Sequence, residues 1–168
     1  RLSPRPFVSS DIGCYTLGAP SGDMGDAALA MGSSIGVATG AALVGIPSLA
    51  LIGDSTFLHA GLPALENAVT QGVRLLVCIL DNGVAAMTGG QPTAAARIEA
   101  AARGLGAASV EVVDPFDRER LAGAVAGGLG REGVSVVIAR SPCALTVPPQ
   151  PRRPVVDASL CTGCGACV

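Results

Sequence analysis

The strongest pattern in the chain is a pair of apolar runs, each followed at once by polar residues. The first run, residues 49–52, leads into Asp54, and the second, residues 75–80, leads into Asn82. Between them, apolar residues recur at the spacing of a helix: Leu62, Leu65, Ala68 and Val69. This order predicts two parallel neighbouring strands whose carboxyl ends lie at one edge of a sheet. Ligands of open α/β folds bind at that edge.

The remaining runs extend the pattern to an α/β fold, a parallel sheet with helices on both faces. Further strands are expected at residues 7–8, as a short edge strand, and at residues 110–113 and 134–139. The last of these is apolar at every position except Ser135, as expected of a strand buried on both faces. Three helices are expected to begin at polar residues whose oxygen atoms can cap a helix N-terminus: Ser33 or Ser34, Thr93 and Asp114.

The composition of the chain argues against several classes of function. At 168 residues the chain is long enough for one domain with its own core. Hydrophobic residues make up 49% and charged residues 14%, so we expect other chains or domains to cover part of the surface. A net charge of −2, 2% aromatic residues and no tryptophan argue against a nucleic-acid partner. The uncharged stretch 27–53 is interrupted by glycines, so we expect no membrane span and a cytoplasmic protein.

Asp54 and Asn82 supply the oxygen atoms that a magnesium ion prefers. Mg²⁺ takes near-octahedral oxygen ligands at about 2.0–2.1 Å and binds few protein carboxylates, with phosphates and water completing its shell. The Asp54 carboxylate, the Asn82 amide oxygen and the Val84 carbonyl would leave room for phosphate oxygens. Gly53 and Gly83 would let the backbone approach that anion closely. Either glycine-containing stretch alone would also fit an ordinary turn.

Several stretches of the chain resemble one family of thiamine-dependent enzymes. A Gly-Asp pair at the end of one strand, with an Asn at the end of the next, is the thiamine diphosphate and magnesium motif of those enzymes. The wider likeness is to the large, alpha subunit of the indolepyruvate members of the 2-oxoacid:ferredoxin oxidoreductase family, and it is carried by residues 11–18, 31–36, 53–69, 82–92 and 141–145. It covers nearly the whole chain.

The resemblance implies thiamine diphosphate and Mg²⁺ as cofactors, with Asp54, Asn82 and Val84 on the metal. The residues expected around the diphosphate are Gly53, Ser55, Gly83 and Thr88. It also implies oxidative decarboxylation of a 2-oxo acid, such as indolepyruvate, to an acyl-coenzyme A, with the electrons passed to ferredoxin. A beta subunit and a pyrimidine-binding domain before Arg1 are the expected partners. That domain supplies the family's catalytic glutamate, so no catalytic residue is expected within this chain.

Two alternatives remain open from the sequence. One is a non-redox thiamine decarboxylase or acetolactate-synthase-like enzyme, which shares the Gly-Asp and Asn motif. The other is a non-catalytic electron-transfer module. The stretch at residues 87–91 and a cysteine cluster near the C-terminus favour the redox enzyme.

The cysteine cluster belongs to a second segment. Residues 1–146 are expected to form the thiamine diphosphate and magnesium domain, and residues 147–154, which contain four prolines, an extended linker. Residues 155–168 resemble the start of a truncated 4Fe–4S ferredoxin segment. The C-x₂-C-x₂-C spacing supplies three cluster thiolates: Cys161, Cys164 and Cys167. Zinc is the alternative metal. We expect the chain to be a fragment at both ends.

Four further residues are candidates for the site. Gly32 and Ser33 begin a helix whose free N–H groups form a plausible anion site, which could contact the cofactor. Cys14 is either a substrate-side residue, as the resemblance implies, or a small buried core residue. His59 follows Asp54 closely and is either on the substrate side or a hydrogen-bonded structural residue. Cys78, in the middle of a strand, is expected to be core packing.

Overall fold

A computed structural model describes residues 5–21, 25–148 and 155–164 of the chain. Within these ranges, six parallel strands form one sheet: β1 Phe7–Ser10, β2 Ala27–Ala28, β3 Ser48–Gly53, β4 Leu75–Asp81, β7 Ser109–Val113 and β8 Val134–Arg140. Their order across the sheet is β2-β1-β3-β4-β8-β7. A separate antiparallel hairpin is formed by β5 Val84–Ala85 and β6 Gln91–Pro92.

The central strands are mostly apolar because both of their faces are covered by helices. Residues of β4 are buried at nearly every position, and the same holds for β8. β3 and β4 are hydrogen-bonded neighbours, as the sequence predicts, and Gly53 lies opposite Leu80 in their register. Asp54 and Asn82 therefore leave the sheet side by side at its carboxyl edge.

Helices cover both faces of the sheet, which confirms the predicted fold class. They are α1 Ser34–Leu43, α2 Asp54–Thr56, α3 Leu62–Thr70, α4 Ile98–Gly104 and α5 Arg118–Gly130. α1, α3 and α4 pack on one face through residues such as Ile35, Leu65 and Ile98. α5 covers the other face through Leu121, Val125 and Leu129, the stripe that its helical spacing indicates.

A π-helical turn, Phe57–Gly61, joins α2 to α3, so the chain is helical without interruption from Asp54 to Thr70. Its last residue must be glycine, since a Cβ atom on Gly61 would lie 2.9 Å from the Phe57 ring and 3.0 Å from Ile52. The close contact lets Phe57 and Ile52 pack directly under the turn, with both side chains fully buried. π-turns of this kind are frequent beside functional sites.

Several predicted boundaries are wrong. β1 is not an edge strand, because the two-residue β2 pairs with its outer side. Thr93 does not cap a helix, and α4 begins later, after a 3₁₀ turn at Ala95–Arg97. Asp114 does not cap α5; its carboxylate accepts from the Phe116 N–H, and Asp117 caps the helix by accepting from the Arg120 N–H at 3.1 Å.

The C-terminal segment is described only in part. The predicted linker, residues 147–154, lies mostly outside the described residues, and so does Cys167. Residues 155–164 are all exposed. No helix in the described part of the chain is both long and apolar enough to cross a membrane.

Candidate cofactor site

A cavity of about 360 Å³ opens at the carboxyl edge of the sheet, among the residues that follow β1, β3 and β4. It brings together most of the predicted site: Cys14, Gly53, Asp54, Ser55, Asn82, Val84 and Thr88. Its other walls include mainly apolar side chains that are not among the predicted site residues: Ile12, Tyr15, Met31, Leu80 and Met87. The site is therefore an oxygen-rich floor with apolar walls.

Asp54 is the carboxylate of that floor and is only 4% exposed. Its Oδ1 atom accepts a hydrogen bond from the Ser55 N–H at 2.7 Å. Its Oδ2 atom accepts two, from the Gly83 N–H at 3.0 Å and from the Thr93 hydroxyl at 2.7 Å. These donors fix the rotation of the carboxylate group, and they connect the end of β3 to the loop after β4.

Asn82 and Gly83 form the adjoining turn. The Asn82 Oδ1 atom accepts from the Val84 N–H at 3.0 Å, which turns the amide oxygen toward its own loop and leaves it further acceptor capacity. Gly83 has a φ of 75°, a left-handed conformation that favours glycine. Gly83 does not line the cavity; its N–H contributes by binding Asp54.

Tyr15 closes the side of the cavity next to β1. A Cβ atom on Gly13 would lie 2.7 Å from the Tyr15 ring, so glycine is needed for the ring to fold over the loop. The same ring lies over Gly53, where a Cβ atom would be 4.0 Å away. Burial raises the pKa of the Tyr15 phenol, and the nearby Asp11 carboxylate raises it further, so the hydroxyl stays protonated at neutral pH.

Cys14 lines the cavity and is exposed, so its interpretation as a buried core residue is wrong. Cys78 does fill the core, as expected, with 6% exposure in the middle of β4. Burial raises the pKa of the Cys78 thiol to about 11, which makes it a poor nucleophile near neutral pH.

The start of α1 is occupied by a carboxylate of the chain itself. Asp11 accepts from the Gly32 N–H at 2.6 Å and from the Ser34 N–H at 2.7 Å, and it is fully buried. The Ser33 hydroxyl makes no capping bond; it exchanges hydrogen bonds with Ala30. Gly32 and Ser33 also lie outside the cavity wall. The predicted anion site is thus filled internally, because Asp11 provides the negative charge that this helix end favours.

Of the two remaining candidates, Thr88 lines the cavity and His59 does not. His59 is exposed and outside the cavity wall, and its Nδ1 atom lies 2.7 Å from the Ser55 carbonyl oxygen. Because a carbonyl only accepts, Nδ1 carries the proton. Thr88 lines the cavity, but its hydroxyl donates to the Gln91 Oε1 atom at 2.8 Å within the hairpin.

An ion pair between a buried aspartate and an exposed arginine lies next to the site. Asp81, the last residue of β4, accepts from the Arg140 Nε atom at 2.6 Å, and its side chain is 2% exposed. The two residues are direct partners in the register of β4 and β8. The pair fixes the strand end from which Asn82 emerges.

The chain matches the family model described as "Thiamine pyrophosphate enzyme, C-terminal TPP binding domain" over residues 11–139. This chain belongs to the thiamine pyrophosphate enzymes. The match includes Asp54, Asn82 and the loops that form the cavity.

Curated relatives extend the likeness along nearly the whole chain. The chain is 40% identical to "Indolepyruvate oxidoreductase subunit IorA" of Pyrococcus horikoshii over 99% of its own length, and 43% identical to the protein of the same name from Archaeoglobus fulgidus over 82%. It covers 31% of the first relative and 24% of the second. The chain thus spans about a third or less of these relatives.

Solved structures share the fold at low sequence identity. A 2-oxoglutarate:ferredoxin oxidoreductase from Magnetococcus marinus superposes with a TM-score of 0.68 at 19% identity, over 81% of this chain and 54% of that chain. A 4-hydroxybenzoylformate decarboxylase from Rhodococcus jostii superposes with a TM-score of 0.66 at 19% identity, over 83% of this chain and 30% of that chain. A ferredoxin oxidoreductase and a decarboxylase are both among these neighbours, so the shared fold does not distinguish a redox from a non-redox enzyme.

Proposed function

We propose that this chain is the diphosphate-binding and magnesium-binding part of a 2-oxoacid:ferredoxin oxidoreductase that acts on an aryl pyruvate such as indolepyruvate. The single observation that carries the proposal is the cavity between the ends of β3 and β4, where Asp54 and Asn82 lie together. The similarity to indolepyruvate oxidoreductase subunits supports the substrate class.

The donor set fits Mg²⁺ with a bound diphosphate. Asp54 would supply the anionic ligand, and the Asn82 amide oxygen and the Val84 carbonyl would supply the neutral ones, which matches the hard oxygen ligands that Mg²⁺ prefers. Gly53 and Ser55 line the same cavity and would contact the diphosphate, with Thr88 at its hairpin side. Thiamine diphosphate, when bound, supplies the electron sink for decarboxylation of a 2-oxo acid.

The chain's own contribution is to bind and orient the cofactor and to exclude water from one side of it. Tyr15, Met31 and Met87 provide apolar walls for this, and Cys14 adds a thiol at the cavity surface. The acid–base group of the reaction is proposed to come from a pyrimidine-binding domain outside this chain. A partner subunit, coenzyme A and ferredoxin belong to the same proposal.

The cysteine cluster is proposed to hold a 4Fe–4S cluster that receives the electrons. Cys161 and Cys164 are exposed at the spacing of ferredoxin ligands, and Cys167 would be the third ligand. Zinc-binding sites more often use two separated cysteine pairs, so the spacing favours iron–sulfur.

Anaerobic turnover of the complete protein with indolepyruvate, coenzyme A and ferredoxin tests this function. We expect ferredoxin reduction by the wild type. We expect the Cys164→Ala variant to keep thiamine diphosphate bound while losing most of its ferredoxin reduction, because one cluster ligand is gone. Product formed without any reduced ferredoxin in the wild type would instead support a non-redox decarboxylase. Zinc in place of iron in the purified protein would overturn the cluster assignment.

A further inference from the structure

Thr93 contacts the Asp54 carboxylate from a distant part of the chain. It follows β6, the second strand of the hairpin, and its hydroxyl donates to the Asp54 Oδ2 atom at 2.7 Å across 39 residues of sequence. Its own N–H donates to the Gly83 carbonyl at 2.9 Å. The hydroxyl is half-buried and the carboxylate is buried, so the bond is sheltered from water.

The two carboxylate oxygens of Asp54 accept different numbers of hydrogen bonds. A carboxylate offers about four acceptor positions, two on each oxygen. Oδ2 accepts from both Gly83 and Thr93, so both of its positions are filled. Oδ1 accepts from the Ser55 N–H and keeps one position for another partner. A cation reaching Asp54 therefore meets one available oxygen rather than two.

We propose that Thr93 is a positioning residue that holds Asp54 as a one-oxygen metal ligand and thereby selects Mg²⁺ over Ca²⁺. This inference rests on the proposed magnesium site. Mg²⁺ requires a near-ideal octahedron at about 2.0–2.1 Å, whereas Ca²⁺ accepts carboxylates through both oxygens at about 2.3–2.6 Å. Because the Thr93 hydroxyl occupies Oδ2, Ca²⁺ cannot bind the Asp54 carboxylate through both of its oxygens.

The backbone anchors the hairpin independently of this hydroxyl. The Thr93 N–H to Gly83 bond remains in any substitution other than proline, and the hairpin is also closed by the Gly90 N–H bond to the Ala85 carbonyl at 3.1 Å. Valine has nearly the shape of threonine and lacks only the donor. Thr93→Val therefore frees Oδ2 while keeping the backbone bonds, which separates the role of the hydroxyl from that of the loop.

The test asks how well Mg²⁺ and Ca²⁺ each support thiamine diphosphate binding to the complete protein. Each ion is titrated calorimetrically into the protein at a fixed concentration of the cofactor, and its affinity is measured. Thr93→Val should shift the affinity ratio toward Ca²⁺ by about tenfold, the lower end of the usual effect of changing a residue that supports a metal ligand. Thr93→Ser restores the donor and should stay within about twofold of wild type. Thr93→Ala provides a second donor-free variant if the valine variant does not fold.

Thr39→Val is the matched control, since it removes another buried threonine hydroxyl, which donates to the Ile35 carbonyl at 2.7 Å inside α1. This variant should have the same ratio of Ca²⁺ affinity to Mg²⁺ affinity as the wild type. An unchanged ratio in both Thr93→Val and Thr93→Ala would overturn the inference, even if both ions bind more weakly. A wild-type protein whose thiamine diphosphate binding needs no divalent ion would instead overturn the proposed magnesium site, and the inference with it.

Discussion

At the scale of single residues, polar groups in this molecule are placed by partners far away in sequence. Asp54 depends on Gly83 and Thr93, and the start of α1 depends on Asp11. Each bond joins two strand ends or a strand end to a helix. The carboxyl edge of the sheet is therefore a network in which a few buried carboxylates hold several loops at once.

Cys78 gives a prediction at the residue scale. Its pKa of about 11 in the folded chain lies above the ordinary thiol value of 9.0 because the residue is buried. Between pH 9 and pH 11 the unfolded thiol loses its proton while the folded one keeps it, so stability falls as pH rises through this window. The shift corresponds to about 2–3 kcal/mol at the alkaline end.

Calorimetric melting of the complete protein at pH 8 and pH 10.5 would measure this dependence. Cys78→Ala should begin less stable at pH 8, because it leaves a small cavity, but it should lose less stability on going to pH 10.5. Equal losses in the variant and the wild type would show that Cys78 titrates normally in the folded chain.

The position of a single residue in the site can be predicted from the sequence when it depends on neighbouring residues in the chain. Asp54 and Asn82 were predicted as neighbours because each directly follows an apolar strand. Thr93 was predicted as a helix cap, and its bond to Asp54 was missed, because no local pattern connects residues 39 positions apart. Tyr15 was missed because its place over Gly53 depends on the path of a glycine-containing loop.

At the scale of elements, α1 shows how a helix can lack a cap of its own. Its first turn contains no acidic residue, and Ser33 makes no capping bond. The Asp11 carboxylate replaces the cap from the end of β1, across 23 residues. The helix and the strand are thereby fixed to each other next to the cavity.

We expect Asp11→Ala to destabilise the domain by about 2–3 kcal/mol, since two N–H groups lose a buried, charged acceptor. Asp11→Asn keeps one acceptor oxygen and should cost less. Ser33→Ala should change stability by no more than about 0.5 kcal/mol, as its hydroxyl bonds only to Ala30. Urea unfolding of the three variants would measure this, and similar effects for Asp11→Ala and Ser33→Ala would contradict the assignment of the cap.

Elements with a strong hydrophobic period were predicted correctly, and short or polar ones were not. β3, β4, β8 and α3 follow from apolar spacing alone. β2 has two residues and no pattern, so its pairing with β1 was missed. The sequence predicts Asp114 as the cap of α5 because Pro115, which follows it, suits the first position of a helix. The structure instead uses the later aspartate, Asp117.

At the scale of the whole molecule, the chain covers 31% of the length of the Pyrococcus horikoshii relative, and only 14% of its residues are charged. Large apolar side chains are exposed, including Leu43 at 56% and Val44 at 75% after α1 and Phe116 at 82% before α5. The low charged fraction agrees with this exposure. It does not identify the exposed side chains, because that depends on how the elements pack.

In the proposed site, Asp54 holds a magnesium ion that binds the cofactor's diphosphate. Calorimetry of thiamine diphosphate binding to the complete protein, with Mg²⁺ and then with EDTA, tests this role by comparing wild type with Asp54→Asn, a variant of nearly the same shape. We expect wild type to bind only with Mg²⁺, and the variant to lose about 100-fold or more in affinity, because the single anionic ligand is gone. Unchanged affinity in a folded Asp54→Asn protein would show that Asp54 does not hold the metal.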